Sequence, residues 1–215
     1  MAFALSDFAR ECRVAAPERF VASCSKLFDL LSEVNAHTNL TRITDRAEFE
    51  IKHVADSLAV AKILPEIAEK PWRVADVGCG AGFPSLVLAA AFPQLAVTAI
   101  DSTHKKIDFV AEAARRLGLA NLSAVAGRAI ELSRRPEYGE RFDLVTARAV
   151  ATVGKLFPEC RRMIAPHGRM VFYKTPQQAE EVGAAEARGF VWRVSPEFEL
   201  PENSGSRLFI IGERA

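Results

Sequence analysis

The sequence predicts an α/β fold: a mostly parallel sheet with helices on both faces, ending in an antiparallel hairpin and preceded by a helical extension. Three observations carry that prediction. From Trp72 onward, strand-length apolar runs alternate with runs of helical periodicity. A glycine-rich turn, Gly78-Cys79-Gly80-Ala81-Gly82, follows the first of those strands. The last two strand-like runs have no helix between them, so they should pair antiparallel.

The extension comes first. Phe20, Cys24, Leu27, Phe28 and Leu31 recur at helical spacing within residues 16–36. Asn39-Leu40-Thr41 reads as a turn, and Asp45 with Glu48 as a capping box. The helix they open runs through His53 towards Asp56 and on to about Leu64, where Pro65 and Pro71 punctuate its end. Residues 1–71 are therefore expected as a helical extension packed on a main domain of residues 72–215.

In the main domain the expected strands are Trp72–Val77, Leu95–Ile100, Leu122–Ala126, Phe142–Ala147 and Arg169–Tyr173. The helices between them are Pro84–Phe92, His104–Leu117 with Gly118 as its C-terminal stop, a short one after Arg128, and Val153–Ile164. A further helix spans Gln177–Arg188. Phe190–Val194 and Arg207–Ile211 then form the hairpin around the turn-rich Pro201-Glu202-Asn203-Ser204-Gly205.

Composition narrows the classes. With 215 residues, 49% of them apolar, the chain suits one large α/β domain with an extension and not a disordered protein. Net charge is only +1, but it is unevenly spread. Residues 1–71 hold 9 basic and 11 acidic residues, residues 72–175 hold 15 and 9, and residues 176–215 hold 4 and 7. A basic middle between acidic ends lets a near-neutral protein present an anion-binding face. Cys12, Cys24, Cys79 and Cys160 show no metal spacing, so no metal is expected, and scattered free thiols fit a reducing cytosol. The longest apolar run, Leu86 to Phe92, is far too short to span a bilayer. A cytoplasmic protein without membrane association is expected.

The glycine turn sits where doubly wound sheets bind ligands, at the carboxyl end of a strand. It lacks the Gly-Lys-Ser/Thr of a P-loop, and its G-x-G-x-G differs from the dinucleotide G-x-G-x-x-G. Asp76 stands two residues before the first glycine. A carboxylate ~4 Å from a phosphate charge costs about 4 kcal/mol at an effective dielectric near 20, which disfavours a pyrophosphate ligand. S-adenosylmethionine (SAM) removes the conflict, because it carries an ammonium and a sulfonium and no phosphate. Asp76 is then expected to attract its methionine end, with Gly78, Gly80 and Gly82 giving the backbone close approach and Phe83 covering the loop. Asp101, after the next strand, is the expected partner of the ribose hydroxyls.

The fourth strand leads into Thr146-Ala147-Arg148-Ala149-Val150, with no Asn/Asp-Pro-Pro-Tyr/Phe clamp and no Pro-Cys nucleophile. No general base stands there. That suits an acceptor that is already nucleophilic, such as guanine N7, which loses no proton on methylation. Arg148 is the candidate to position a phosphate or a base edge. Other readings stay open at this point: a small-molecule methyltransferase, a NAD-linked oxidoreductase, or a non-catalytic SAM-binding module.

Five motifs occur in order: Asn39-Leu40-Thr41, His53-Val54-Ala55-Asp56-Ser57, Asp76 through Pro84, Asp101-Ser102, and Thr146 through Val150. Together they resemble the RsmG (GidB) family of small-subunit rRNA methyltransferases. The resemblance implies a class I, Rossmann-like SAM-dependent fold and formation of N7-methylguanosine in the 530 loop of bacterial 16S rRNA. The partner implied is 16S rRNA, the small subunit or an assembly intermediate of it; separately, a monomer is expected. It also implies Gly78 and Phe83 in the cofactor loop, Asp101 at the ribose, Ala129 and Ile130 beside the adenine, and Arg148 near the methyl or the RNA. The family's usual Arg-Ala-Glu is Arg128-Ala129-Ile130 here, which leaves backbone polarity for the adenine; Lys174-Thr175 replaces the usual Lys-Gly. His53 and Asp56, three residues apart on one expected helix, share a face and become candidates to line the acceptor pocket. Arg115, Arg116, Arg128, Arg134, Arg135, Arg161, Arg162 and Lys174 are candidates for an RNA face.

Overall fold

Alternation along the strands builds two cores, one on each side of the sheet. Val74, Val97, Ala99, Leu144, Val171 and Ile211 point to one side, while Ala75, Val77, Ile100, Val145, Met170 and Ile210 point to the other. The first core also takes in the N-terminal helices, so the extension and the sheet share one apolar cluster.

The computed structural model describes residues 3–185 and 189–215. The strands are β1 (Arg73–Val77), β2 (Ala96–Asp101), β3 (Leu122–Ala126), β4 (Phe142–Arg148), β5 (Ile164–Lys174), β6 (Phe190–Val194), β7 (Phe198–Glu199) and β8 (Ser206–Arg214). They lie in the order β3-β2-β1-β4-β5-β8-β6, with β7 beside β8 off that path. β1 to β5 pair parallel, and β8 runs antiparallel to both β5 and β6. The expected hairpin is present, with its second strand inserted between β5 and β6. The chain passes from one side of β1 to the other between β3 and β4, which opens a crevice above β1 and β4.

The helices are α1 (Leu5–Glu11), α2 (Pro17–Thr38), α3 (Arg46–Phe49), α4 (Asp56–Leu58), α5 (Val60–Ile63), α6 (Ser85–Ala91), α7 (His104–Leu117), α8 (Ala129–Leu132) and α9 (Val153–Cys160). α7 stops as expected at Gly118, which is left-handed with φ 69°. α2 ends on a left-handed Asn39.

Four expectations need correction. The continuous helix expected from Asp45 to Leu64 contains a π-helical segment, Glu50–Ala55, between α3 and α4. The capping box is half made: Asp45 Oδ1 accepts from the Glu48 N–H at 2.9 Å, while the Glu48 carboxylate turns to Lys52 at 2.6 Å. Pro84 is the N-cap and not the first residue of α6. The helix expected at Gln177–Arg188 is 3-10 helical over Pro176–Ala185, and residues 186–188 lie outside the described ones. No helix among the described residues is long and apolar enough to cross a membrane.

Candidate active site

The glycine turn owes its shape to two carboxylates. Parallel register puts Asp76 opposite Thr146, and the pleat turns Asp76 into the sheet face that carries α6. There it is fully buried. Its Oδ2 accepts the Ser85 N–H at 3.0 Å and its Oδ1 the Thr146 hydroxyl at 3.2 Å. It caps α6 from a neighbouring strand, where the helix dipole favours a negative charge. Burial nevertheless pushes its pKa up to about 6, against the opposing hydrogen bonds. Asp101 braces the turn from the other side. Its Oδ2 accepts the Gly80 N–H at 3.0 Å and its Oδ1 the Thr103 N–H at 2.9 Å.

A cavity of about 510 Å³ opens over this turn. Gly78, Asp101, Ala129 and Ile130 all line it, as expected of cofactor-side residues, together with Lys106 and Glu159. Asp76, Gly80, Gly82 and Phe83 are not part of its wall. Asp76 therefore shapes the loop from behind, and the carboxylate that faces the cavity from the glycine-turn side is Asp101, with Glu159 also in the wall. Each Asp101 oxygen accepts one backbone N–H and keeps a lone pair for a hydroxyl. Ala129, Ile130, Val77 and Leu156 add apolar wall. Hydroxyl acceptors beside an apolar slot suit the ribose and adenine of SAM.

Gly78 has φ +70°, and a Cβ there would lie 2.5 Å from Val150 Cγ2. Gly78→Ala places about 1–2 kcal/mol of left-handed strain on the cradle. Calorimetry should then show SAM binding about tenfold weaker. An affinity within twofold of the parent would mean that the cofactor does not rest on this turn.

Arg148, at the end of β4, is the centre of a second cluster. Its Nη1 donates to Lys52 O at 2.8 Å and to Asp56 Oδ2 at 3.1 Å, and its Nη2 donates to His53 Nδ1 at 3.2 Å. Because a guanidinium only donates, His53 Nδ1 must accept. Its proton is then on Nε2, which donates to Thr41 Oγ1 at 2.9 Å. Burial, helped by Arg148, lowers the His53 pKa to about 3, so the ring is neutral near pH 7. Phe83 stacks on that ring at 4.2 Å and is itself buried, so it covers the junction with the extension and not the cofactor cavity. Asp56 is only 3% exposed, and its Oδ1 accepts from Arg207 Nε at 3.1 Å.

The three expected acceptor-side residues, Arg148, His53 and Asp56, therefore meet at one place. They line a cavity of about 330 Å³ with Lys52, Tyr173 and Arg207. Ala149, left-handed with φ 55°, lines both this cavity and the one over the glycine turn.

Sequence reasoning missed Arg207, because a partner 151 positions from Asp56 leaves no local signal. It quoted Thr41 without its bond to His53, and did not single out Asn35, whose side chain fixes Thr41. Asn35 Oδ1 accepts the Thr41 N–H at 2.9 Å, and its Nδ2 donates to Thr41 O at 3.0 Å. Lys174 lies in the wall of the acceptor-side cavity and not on an exposed face. It is buried, donating to Ala151 O at 2.9 Å and pairing with Glu181 at 2.8 Å. Arg115 and Arg116 both pair with Glu112 on α7.

Comparison with known proteins agrees with this geometry. A family model described as rRNA small subunit methyltransferase G, GidB, matches residues 21–203. Ribosomal RNA small subunit methyltransferase G of Lactobacillus acidophilus is 35% identical over 214 residues, 91% of this chain and 89% of that protein. Its namesake from Brevibacillus brevis is 39% identical over 191 residues, 87% and 79% of the two chains. Among solved structures, a SAM-dependent methyltransferase from Aquifex aeolicus superposes with TM-score 0.59 at 20% identity, over 83% of this chain and 98% of that one. A SAM-dependent O-methyltransferase from Thermotoga maritima gives 0.60 at 17% identity, over 86% and 71%. These two show the fold alone, the class I methyltransferase fold. The family match covers most of the chain, and two curated relatives agree with it: the chain belongs to the rRNA small subunit methyltransferase G family and is a SAM-dependent rRNA methyltransferase.

Proposed function

We propose that the chain methylates N7 of a guanosine in the 530 loop of bacterial 16S rRNA, acting as a cytoplasmic monomer. One observation carries the choice of atom: the acceptor-side cavity holds no free base. Asp56 has one oxygen on Arg148 and the other on Arg207. His53 has Nδ1 on Arg148 and Nε2 on Thr41. Both ring nitrogens of His53 are taken, and each Asp56 oxygen is held by a guanidinium that favours the bare carboxylate over its protonated form, so neither is poised as a general base. An exocyclic amine, a ribose hydroxyl or a pyrimidine carbon needs a base or a nucleophile, whereas N7 offers a lone pair and loses no proton.

SAM, when bound, supplies an electrophilic methyl group. Gly78, Asp101, Ala129 and Ile130 are the residues proposed to hold it, with Asp76, Gly80, Gly82 and Phe83 shaping the turn behind them. Arg148 is proposed to orient the base, and His53 and Asp56 to fix Arg148. Ala149 in the shared wall brings the two cavities into contact, so alignment and exclusion of water supply the rate.

Incubating the purified protein and labelled SAM with 16S rRNA from cells lacking the activity tests this. One 7-methylguanosine in the 530 loop is the expected product. Label on a different base atom, or only on a small metabolite, sinks the proposal.

A further inference from the structure

Two groups of the chain's arginines contrast, apart from scattered exposed ones such as Arg19, Arg42 and Arg128 that also lack a carboxylate partner among the described residues. Arg10, Arg13, Arg46, Arg115 and Arg116, in the extension and α7, are each paired with a carboxylate. Arg134, Arg135, Arg141, Arg161 and Arg162 are exposed, and none has a carboxylate partner among the described residues. The second group is gathered by backbone bonds. The Glu140 N–H donates to Arg162 O at 2.7 Å and the Arg141 N–H to Met163 O at 3.0 Å. These bonds fasten the loop bearing three of the arginines to the 3-10 turn, Arg161–Met163, bearing the other two. Unpaired cations on exposed helix faces are ordinary; unpaired cations fixed side by side on two bonded segments are a surface.

That surface borders a cleft of about 380 Å³ lined by Glu140, Arg161, Arg162, Phe190 and Arg214. The one acidic side chain there, Glu140, is neutralised by Arg214. The cleft lies where β4 and β5 begin, at the paired residues Phe142 and Ile164. The SAM and acceptor cavities lie where those strands end. Seven residues of β4 separate the two levels, about 20 Å at the usual strand rise.

We propose that this cleft is a second, non-catalytic contact for the RNA substrate, in which Arg161 and Arg162 bind backbone phosphates remote from the methylated base. The inference rests on the rRNA reading above. Exposed guanidinium groups spread over two segments match a string of phosphates better than one small anion, which needs donors converging on a point. A contact about 20 Å from the reacting end is beyond a short hairpin and within reach of folded rRNA.

The test is the pair Arg161→Glu/Arg162→Glu, made on exposed positions and assayed on full-length 16S rRNA and on a short 530-loop hairpin. On full-length rRNA, KM should rise about tenfold with kcat unchanged. The slope of log K against log salt should shrink by about 1.5, as two lost phosphate contacts require. SAM affinity and turnover of the hairpin should stay within twofold. Arg161→Lys/Arg162→Lys should keep most of the slope.

Equal loss on hairpin and full-length rRNA, no loss on either, or a lysine pair as impaired as the glutamate pair would overturn the proposal. So would a loss confined to the assembled subunit, which would put a protein partner in the cleft. Wild-type protein that methylates no rRNA would fail the functional reading and take this one with it; a methylating wild type with an indifferent glutamate pair would fail this one alone.

Discussion

Asp56→Ala should lower the stability of the fold by about 3 kcal/mol, the lower end of the range for breaking a buried ion pair. The carboxylate is almost wholly buried between Arg148 and Arg207, whose side chains are 14% and 23% exposed. Without it, two guanidinium groups face each other in a partly dry pocket with no counter-charge. The partial exposure of the arginines lets water soften the repulsion, hence the lower end of the range. For a chain of this length the loss corresponds to a fall in Tm of about 6–12 °C, measurable by scanning calorimetry. A fall of less than about 2 °C would mean that the two arginines do not depend on Asp56.

Arg148→Ala should have the opposite signature, with little change in stability and a large change in rate. Asp56 keeps Arg207 as its partner, so no buried charge is stranded. The acceptor cavity, however, loses its best-fixed cation. Methyl transfer should fall at least about a hundredfold while SAM affinity stays within about threefold. Arg148→Lys should not rescue it, because an ammonium cannot reach Asp56, His53 and the Lys52 carbonyl at once. Single-turnover transfer and calorimetry with SAM separate the two quantities. Equal loss of both would move Arg148 to the cofactor side.

Most of the fold was legible because its signals are local. Strand-length apolar runs marked the strands, and a glycine, left-handed in the structure, marked the end of α7. β3 and β6 fall on the expected residues for the same reason. The π-helical segment was invisible, since Glu50–Ala55 is made of ordinary helix residues and α and π turns differ only in which carbonyl each N–H reaches.

The site divides the same way. Gly78, Asp101, Ala129 and Ile130 follow strand ends, so topology placed them at the crevice. Asp76 was read as a ligand contact because charge alone was weighed. Alternation held the contrary hint: Ala75 and Val77 face the side where the cavity wall includes Val77, so the residue between them faces away. The Asp56–Arg207 pair could not be read at all without the topology that inserts β8 next to β5.

That insertion also dictates an order of assembly. β6 precedes β8 in the chain but lies outside it in the sheet, so β6 joins the rest of the sheet only when β8 docks against β5. Docking of β8 is a slow, long-loop event, and it delivers Arg207 to Asp56 in the same move. The nascent protein therefore pairs Asp56 with Arg148 alone until its sheet is nearly complete, and the acceptor pocket gains its second cation last, together with the edge.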